Sequence, residues 1–327
     1  MSKTRDFGEV GTAAVTVLVD NQADLILGST DTVMRYVKEP LLAEHGFAAL
    51  IDLNGGEVRI LWDAGISRVA LLENMRRMKI DPASIHKIVL SHGHADHTAS
   101  VSEVLRAMDL RPKPKEWEAG VPSEEMHRWV EGQRVPLIVH PAAFRERWVV
   151  RKNGTKYGPF LPPPHEEWET MGAELVLSEG PYELGPGCWS TGYIPRMSFE
   201  QSGTSIVFCL EGDELKPDDV EEDQAITINI RGKGLVVVSG CAHAGIVNTV
   251  NYAKKISGVE EVWSVLGGFH LAEAKDEAID RTIAEMKAYR LTMVVPSHCT
   301  GFKATCEFAR QMPREFVVGA VGTTYVF

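Results

Sequence analysis

The segment Ser91-His92-Gly93-His94-Ala95-Asp96-His97 constrains this chain more than any other. It follows directly on the apolar run Lys87–Leu90, which has the composition of a short buried strand. Neutral imidazole nitrogen and carboxylate oxygen are the donors that Zn²⁺ and similar divalent ions accept. In an extended turn, residues at i and i+2 face the same side, so His92 and His94 can share one ion. A chain that then enters a helix aims Asp96 and His97 toward an adjacent position, where a carboxylate also gains from the helix N-terminus. Gly93 and Ala95 keep the intervening positions small. A polar loop whose histidines merely cap and hydrogen-bond is the weaker reading.

Four such residues do not complete two metal positions, and the sequence offers more. The apolar run Leu235–Gly240 ends at Cys241-Ala242-His243, and Met293–Pro296 ends at Ser297-His298-Cys299. Both put a histidine just past a strand end, as at His92, so His243 and His298 are expected ligands. His270 ends a third such run, Val265–Phe269, and reads as a ligand, as an acid facing the substrate, or as a structural residue.

Strands are expected at Ala14–Val19, Ala48–Leu53 and Val58–Trp62, the last two joined by a turn at Asn54-Gly55-Gly56. Apolar spacing predicts helices over Val69–Met78 and through Val101, Val104, Leu105 and Met108, and a strand follows at Pro136–His140. In the second half, Ser205–Leu210, Ala225–Ile230 and Leu235–Val238 read as successive antiparallel strands. Helices near Ile246–Ile256, Asp276–Ala288 and Lys303–Gln311 alternate with strands Val262–Leu266 and Met293–Val295. Two runs of sheet followed by helices suggest an α/β (α+β) fold, two sheets face to face with helices outside. No low-complexity linker interrupts the chain, so residues 1–327 are read as one domain. Two stretches break the pattern, an insertion at about 110–135 (its core Leu110–Glu131) and a long loop at about 151–165. Each is either a solvated packing arm or a lid or dimer arm near the site.

The chain has 327 residues, 44% apolar and 24% charged, enough to bury a large core without covalent staples. A formal net charge of −11 disfavours nucleic acid and anionic membrane as partners. The five cysteines are scattered and odd in number, which suits a reducing compartment. No apolar stretch approaches the roughly 18 residues of a membrane span, and the polar start at Met1 carries no leader-like run, so a cytoplasmic location is expected.

The cluster, together with Asp63-Ala64-Gly65 at the end of an earlier strand, resembles the metallo-β-lactamase superfamily. More narrowly, the chain is similar to a family of metal-dependent hydrolases named for 7,8-dihydropterin-6-methyl-4-(β-D-ribofuranosyl)-aminobenzene-5′-phosphate synthase. The similarity rests on Val19-Asp20-Asn21, Glu44-His45-Gly46, Gly240–Thr249, Gly267–Leu271 and His298–Gly301. It implies a four-layer αββα sandwich, the metallo-β-lactamase fold, with metals at one edge between the sheets. It also implies Asp63 as a buried brace, and His92, His94, Asp96, His97 and His298 as ligands. The G-H-[TS]-P-G segment of the wider superfamily is missing, and Cys241 stands where a bridging Asp is usual. His243 is then the expected substitute imidazole, and Cys241 either bridges as thiolate or packs as a small buried residue. Within Gly192–Arg196, Arg196 either meets an anionic group of the substrate or is solvated. Asn21, Glu44 and His45 either line the pocket or tie loops together.

Zn²⁺, as one or two ions, is the expected cofactor, with Fe or Mn as alternatives. The expected activity is hydrolysis of a small anionic ester, lactone or phosphoester by hydroxide that the metal makes available at neutral pH. Asp96 would orient that hydroxide and accept its proton, and His270 would protonate the leaving group or stabilise developing negative charge. One alternative is a transferase that joins a dihydropterin methyl group to an aryl amine with release of pyrophosphate. Another is a metal-binding or sensing protein without turnover. A small molecule is the expected partner, with a homo-oligomer possible on this reading.

Overall fold

The protein is described here by a computed structural model covering residues 7–111, 119–124, 126, 132–200, 206–212 and 214–327. An eight-stranded sheet runs in the spatial order β2 (Val33–Arg35), β18 (Thr323–Val326), β1 (Ala13–Val19), β3 (Ala48–Leu53), β4 (Val58–Trp62), β5 (Lys87–Val89), β6 (Val135–Val139) and β9 (Ala173–Leu177). From β2 to β4 neighbours are antiparallel, and from β4 to β9 they are parallel. A six-stranded sheet runs β10 (Tyr182–Gly185), β11 (Cys188–Ser190), β14 (Ala225–Ile230), β15 (Gly234–Ser239), β16 (Val262–Gly268) and β17 (Met293–Ser297), parallel from β15 onward.

Side chains that alternate along each strand divide the core into three layers. Val15, Val17, Ile51, Ile60 and Trp62 of the first sheet meet Ile226, Ile228, Val236, Val238 and Leu266 of the second. The opposite face of the first sheet packs under α1 (Ala70–Met78), α3 (Val101–Met108) and α4 (His165–Thr170), with Leu71, Met75, Val104, Leu105 and Trp168 buried there. The opposite face of the second carries α5 (Ile246–Ser257), α6 (Asp276–Ala288) and α7 (Phe302–Gln311), through Ile246, Val250, Ile283, Met286 and Phe308. Strand β15 shows the rule in four residues, since Val236 and Val238 face the other sheet while Leu235 and Val237 face the helices. Each such side chain contributes roughly 1.5–3 kcal/mol on burial. The result is the four-layer αββα sandwich.

Two expectations need correction. The strand expected at Ser205–Leu210 forms as β12 (Val207–Glu211) but joins neither large sheet, and Ser205 lies outside the described residues. It belongs to a separate four-stranded sheet, β13 (Glu214–Pro217), β12, β7 (Arg147–Val150) and β8 (Lys156–Phe160). The expected loop at 151–165 is therefore a β-hairpin arm, because its backbone groups pair with β7 before α4 begins at His165. Of the insertion at 110–135, residues 112–118, 125 and 127–131 lie outside the described residues. Among the described residues no helix is long and apolar enough to cross a membrane.

Candidate metal centre

Parallel strands present their carboxyl ends at one edge, and that edge is where ligand-bearing loops of an α/β sheet collect. Strand β4 leads to Asp63, β5 to His92 and the four-residue helix α2 (Ala95–Thr98), β15 to Cys241 and His243, β16 to His270, and β17 to His298. The two sheets thus deliver their loops to a common place. Tight turns there force non-glycine residues into the left-handed region at Asp63 (φ 58°), Ala242 (56°), His270 (47°) and His298 (49°). Such backbone costs about 1–3 kcal/mol each and persists where surrounding structure over-determines it. Gly93 and Gly240 answer to crowding: a Cβ on the first would collide with the Ala143 carbonyl, and on the second with Ser91 Oγ.

The potential ligand atoms fall into overlapping groups. His92, His94 and His243 form one, with ring centroids 4.5–5.0 Å apart. Asp96, His97, Cys241 and His298 form the second, and within each group the donor atoms lie within 4.8 Å of one another. His97 Nε2 is 3.1 Å from Cys241 Sγ, and Asp96 Oδ2 is 3.3 Å from His298 Nε2. Cys241, His243 and His270 form a third group, with the two rings 4.1 Å apart.

These residues fit a metal by a direct criterion. Buried polar atoms are almost always hydrogen-bonded. Yet Nε2 of His92 and of His94, both ring nitrogens of His243, and Nδ1 of His270 are buried without a hydrogen-bond partner. Burial, helped by His97, holds His92 well below the usual histidine range; burial and Arg147 bring His94 down to about 4. Burial and His270 likewise hold His243 well below it. All three rings are neutral at pH 7, the state that offers a lone pair to a cation. Burial opposes ionisation of Asp96, but His97 and His298 outweigh it and keep the carboxylate charged.

Buried carboxylates brace three of the ligand loops. Asp63 accepts from Ser91 N, Ser91 Oγ and His97 Nδ1, all at 2.7 Å. Asp20 Oδ1 accepts from His298 N at 3.0 Å and Asn21 N at 2.6 Å. Asp223 accepts from Ala244 N at 2.8 Å, and Glu222 from Gly93 N at 3.2 Å. Buried Arg147 on β7 then bonds both Glu222 and Asp218, the latter at 2.6 Å, and so keys the small sheet to the metal loop. The acidic stretch 218–223 resembles a solvated run in sequence, which is why Asp218, Glu222 and Asp223 escape sequence reasoning. Cys299, whose Sγ donates to the Cys241 carbonyl at 3.4 Å, escapes it too.

A cavity of about 780 Å³ opens over these groups and is lined by Asn21, His45, Phe199, Glu200 and His270 among others. Asn21 holds the His298 carbonyl and lies 3.3 Å from its Nδ1, while His45 Nε2 is 3.5 Å from Asp96 Oδ2. The other two residues expected to meet substrate stand elsewhere. Glu44 accepts from Ile66 N and Ser67 N and ties loops, and Arg196 bonds the carbonyls of Asp219 and Val220 away from the cavity.

Comparison with known proteins agrees with this fold. Residues 43–200 match the family model of the metallo-β-lactamase superfamily. The 7,8-dihydropterin-6-methyl-4-(β-D-ribofuranosyl)-aminobenzene-5′-phosphate synthase of Methanocaldococcus jannaschii is 31% identical over 303 residues, 89% of this chain and 95% of that protein. An uncharacterised protein of the same organism is 32% identical over 308 residues, 94% and 98% of the two chains. Among solved structures, Tm1679, a metal-dependent hydrolase of the β-lactamase superfamily, superposes with a TM-score of 0.69 at 20% identity, covering 95% of this chain and 98% of that one. Fold, ligand loops and relatives agree: the chain belongs to the metallo-β-lactamase superfamily.

Proposed function

We propose that this protein is a metal-dependent hydrolase of a small anionic ester, lactone or phosphoester, with zinc as its metal. The observation that carries the reading is the set of buried, unpartnered imidazole nitrogens of His92, His94 and His243 beside Asp96 under an open cavity. His92, His94 and His243 would hold one ion, and Asp96, His97, Cys241 and His298 a second. When bound, such ions acidify water to a pKa of about 7 and polarise a carbonyl or phosphoryl oxygen. Asp20, Asp63, Asp218, Glu222 and Asp223 are buried around the ligand loops, and burial pushes Asp20, Glu222 and Asp223 up, Asp223 to about 7.

The chain's own groups supply the proton path. Asp96 Oδ2 accepts a proton from the attacking group and faces His45 Nε2 at 3.5 Å, on a ring that is open to the cavity. His270, which lines the same cavity, protonates the leaving group.

The 31% identity to a synthase favours a second reading, in which the amine of an aminobenzene phosphate displaces pyrophosphate from a dihydropterin methyl diphosphate, a C–N bond forming as the C–O bond breaks. Elemental analysis of the purified protein, then a screen of ester, lactone and phosphodiester substrates on the zinc-loaded enzyme, tests the first reading. Bound zinc with hydrolysis of one class supports it. Pyrophosphate release without consumption of water selects the second, and a protein that takes up no divalent metal overturns both.

A further inference from the structure

A second cavity, about 600 Å³, adjoins the first, and both have His94 and Val207 in their walls. The two therefore meet over a ligand residue, and a molecule whose reacting bond sits at that junction extends into both. The second cavity is bounded by the α2–α3 segment on one side and the small sheet with its following Pro162-Pro163-Pro164 turn on the other. Its position is held by the buried Arg147 bridge, which ties β7 to the Gly93 loop through Glu222.

The chemistry of its walls is specific. Four arginines line it, on a chain of net charge −11. Arg106 is paired with Glu103 and Glu167, Arg145 with Glu221, and Arg147 with Asp218 and Glu222. Arg68 makes no ion pair among the described residues, and its backbone is held in the left-handed region (φ 63°) by a hydrogen bond from its N–H to Ser100 Oγ. The same cavity is lined by large apolar groups, Phe160 at 50% and Leu161 at 87% exposure and the buried Trp168. An uncommitted guanidinium beside apolar walls recognises a planar anion with an apolar body, since its fork matches carboxylate or phosphate oxygens bidentately.

We propose that the second cavity receives the anionic, apolar-bodied half of a two-part substrate, with Arg68 as its counter-charge. The proposal rests on the reading of the His94 junction as the reacting site. It also moves the anion contact from Arg196, whose Nη2 bonds the Asp219 and Val220 carbonyls outside both cavities, to Arg68.

The test is calorimetric titration of the zinc-loaded protein with benzoate and with its uncharged counterpart benzamide. Benzoate is expected to bind the more tightly, Arg68→Ala to weaken it about tenfold, Arg68→Lys to recover part of the loss, and Leu161→Ala to weaken both probes. Zinc content is expected to stay unchanged in all three variants. Equal benzoate affinity in wild type and Arg68→Ala, or no preference of the wild type for benzoate, overturns the proposal. These readouts need no turnover, so a failed substrate screen would remove the hydrolase reading and leave the cavity's specificity standing or falling separately. If aryl acetates are hydrolysed, Arg68→Ala should lower kcat/KM about tenfold for 4-carboxyphenyl acetate, through KM, and by much less for phenyl acetate. An equal fall on both esters overturns the assignment.

Discussion

His97 donates from Nδ1 to Asp63 Oδ2 across 2.7 Å, and neither side chain is open to solvent. The bond fixes which nitrogen of His97 is left for the centre, because a carboxylate accepts only. Nε2 is thereby turned toward Cys241 Sγ and Asp96. Asp63→Asn keeps the shape and removes the charge. Metal affinity is expected to drop about 10–100-fold, the usual consequence of losing a partner that orients a ligand histidine. Competition with a chromophoric chelator measures it; unchanged affinity would show that Asp63 only packs.

His94→Ala removes one of the three imidazoles in the first group without disturbing the sheets. Bound metal is expected to fall sharply and the proposed hydrolysis to vanish, with the far-ultraviolet dichroism preserved. Full metal stoichiometry in this variant, measured by elemental analysis, would contradict the ligand assignment.

Arg147 is buried against two carboxylates. Arg147→Ala strands Asp218 and Glu222 in a dry site, and loss of about 3–5 kcal/mol is expected from breaking a buried ion pair on one side. Arg147→Lys should lose less but not match wild type, since an ammonium cannot bond both carboxylates in the same fork. Urea denaturation of the three proteins gives the ranking; wild-type stability in Arg147→Ala would refute it.

Glu200 accepts from Val247 N at 2.8 Å and Thr282 Oγ1 at 3.1 Å, and burial pushes its carboxyl up to about 7. The folded pKa lies above the unfolded value of 4.5, so the fold binds the proton more tightly than the open chain does. Its stabilising effect is complete below pH 4.5 and is lost as pH rises toward 7, by about 3 kcal/mol at most. Glu200→Gln should flatten that part of the stability curve. Parallel curves for both proteins between these pH values would exclude the effect.

How much of this was legible in the sequence depends on how local each cause is. The β5 strand, the turn of histidines after it and the strand ends before His243 and His298 were legible because period-two apolar runs and ligand chemistry are properties of a few adjacent residues. The small sheet was not, since β12 has the same alternation whichever partner it finds, and only tertiary pairing with β7 and β13 decides. Nor was the return of β18 to the first sheet, where Thr324 pairs with Thr16 and their hydroxyls meet at 2.8 Å. Asp218, Glu222 and Asp223 were hidden for a different reason. A carboxylate's burial depends on a distant Arg147 or on backbone N–H groups, and nothing adjacent in sequence announces either.

The bridge from Arg147 to the Gly93 loop also limits how this scaffold can be recombined. An engineer who swaps the β7–β8 hairpin for one from a relative exchanges position 147 but leaves 218 and 222 behind in another segment. Chimeras that split this trio would inherit a mismatched joint beneath the histidine turn, whereas those carrying all three together would transplant the second cavity with its footing intact.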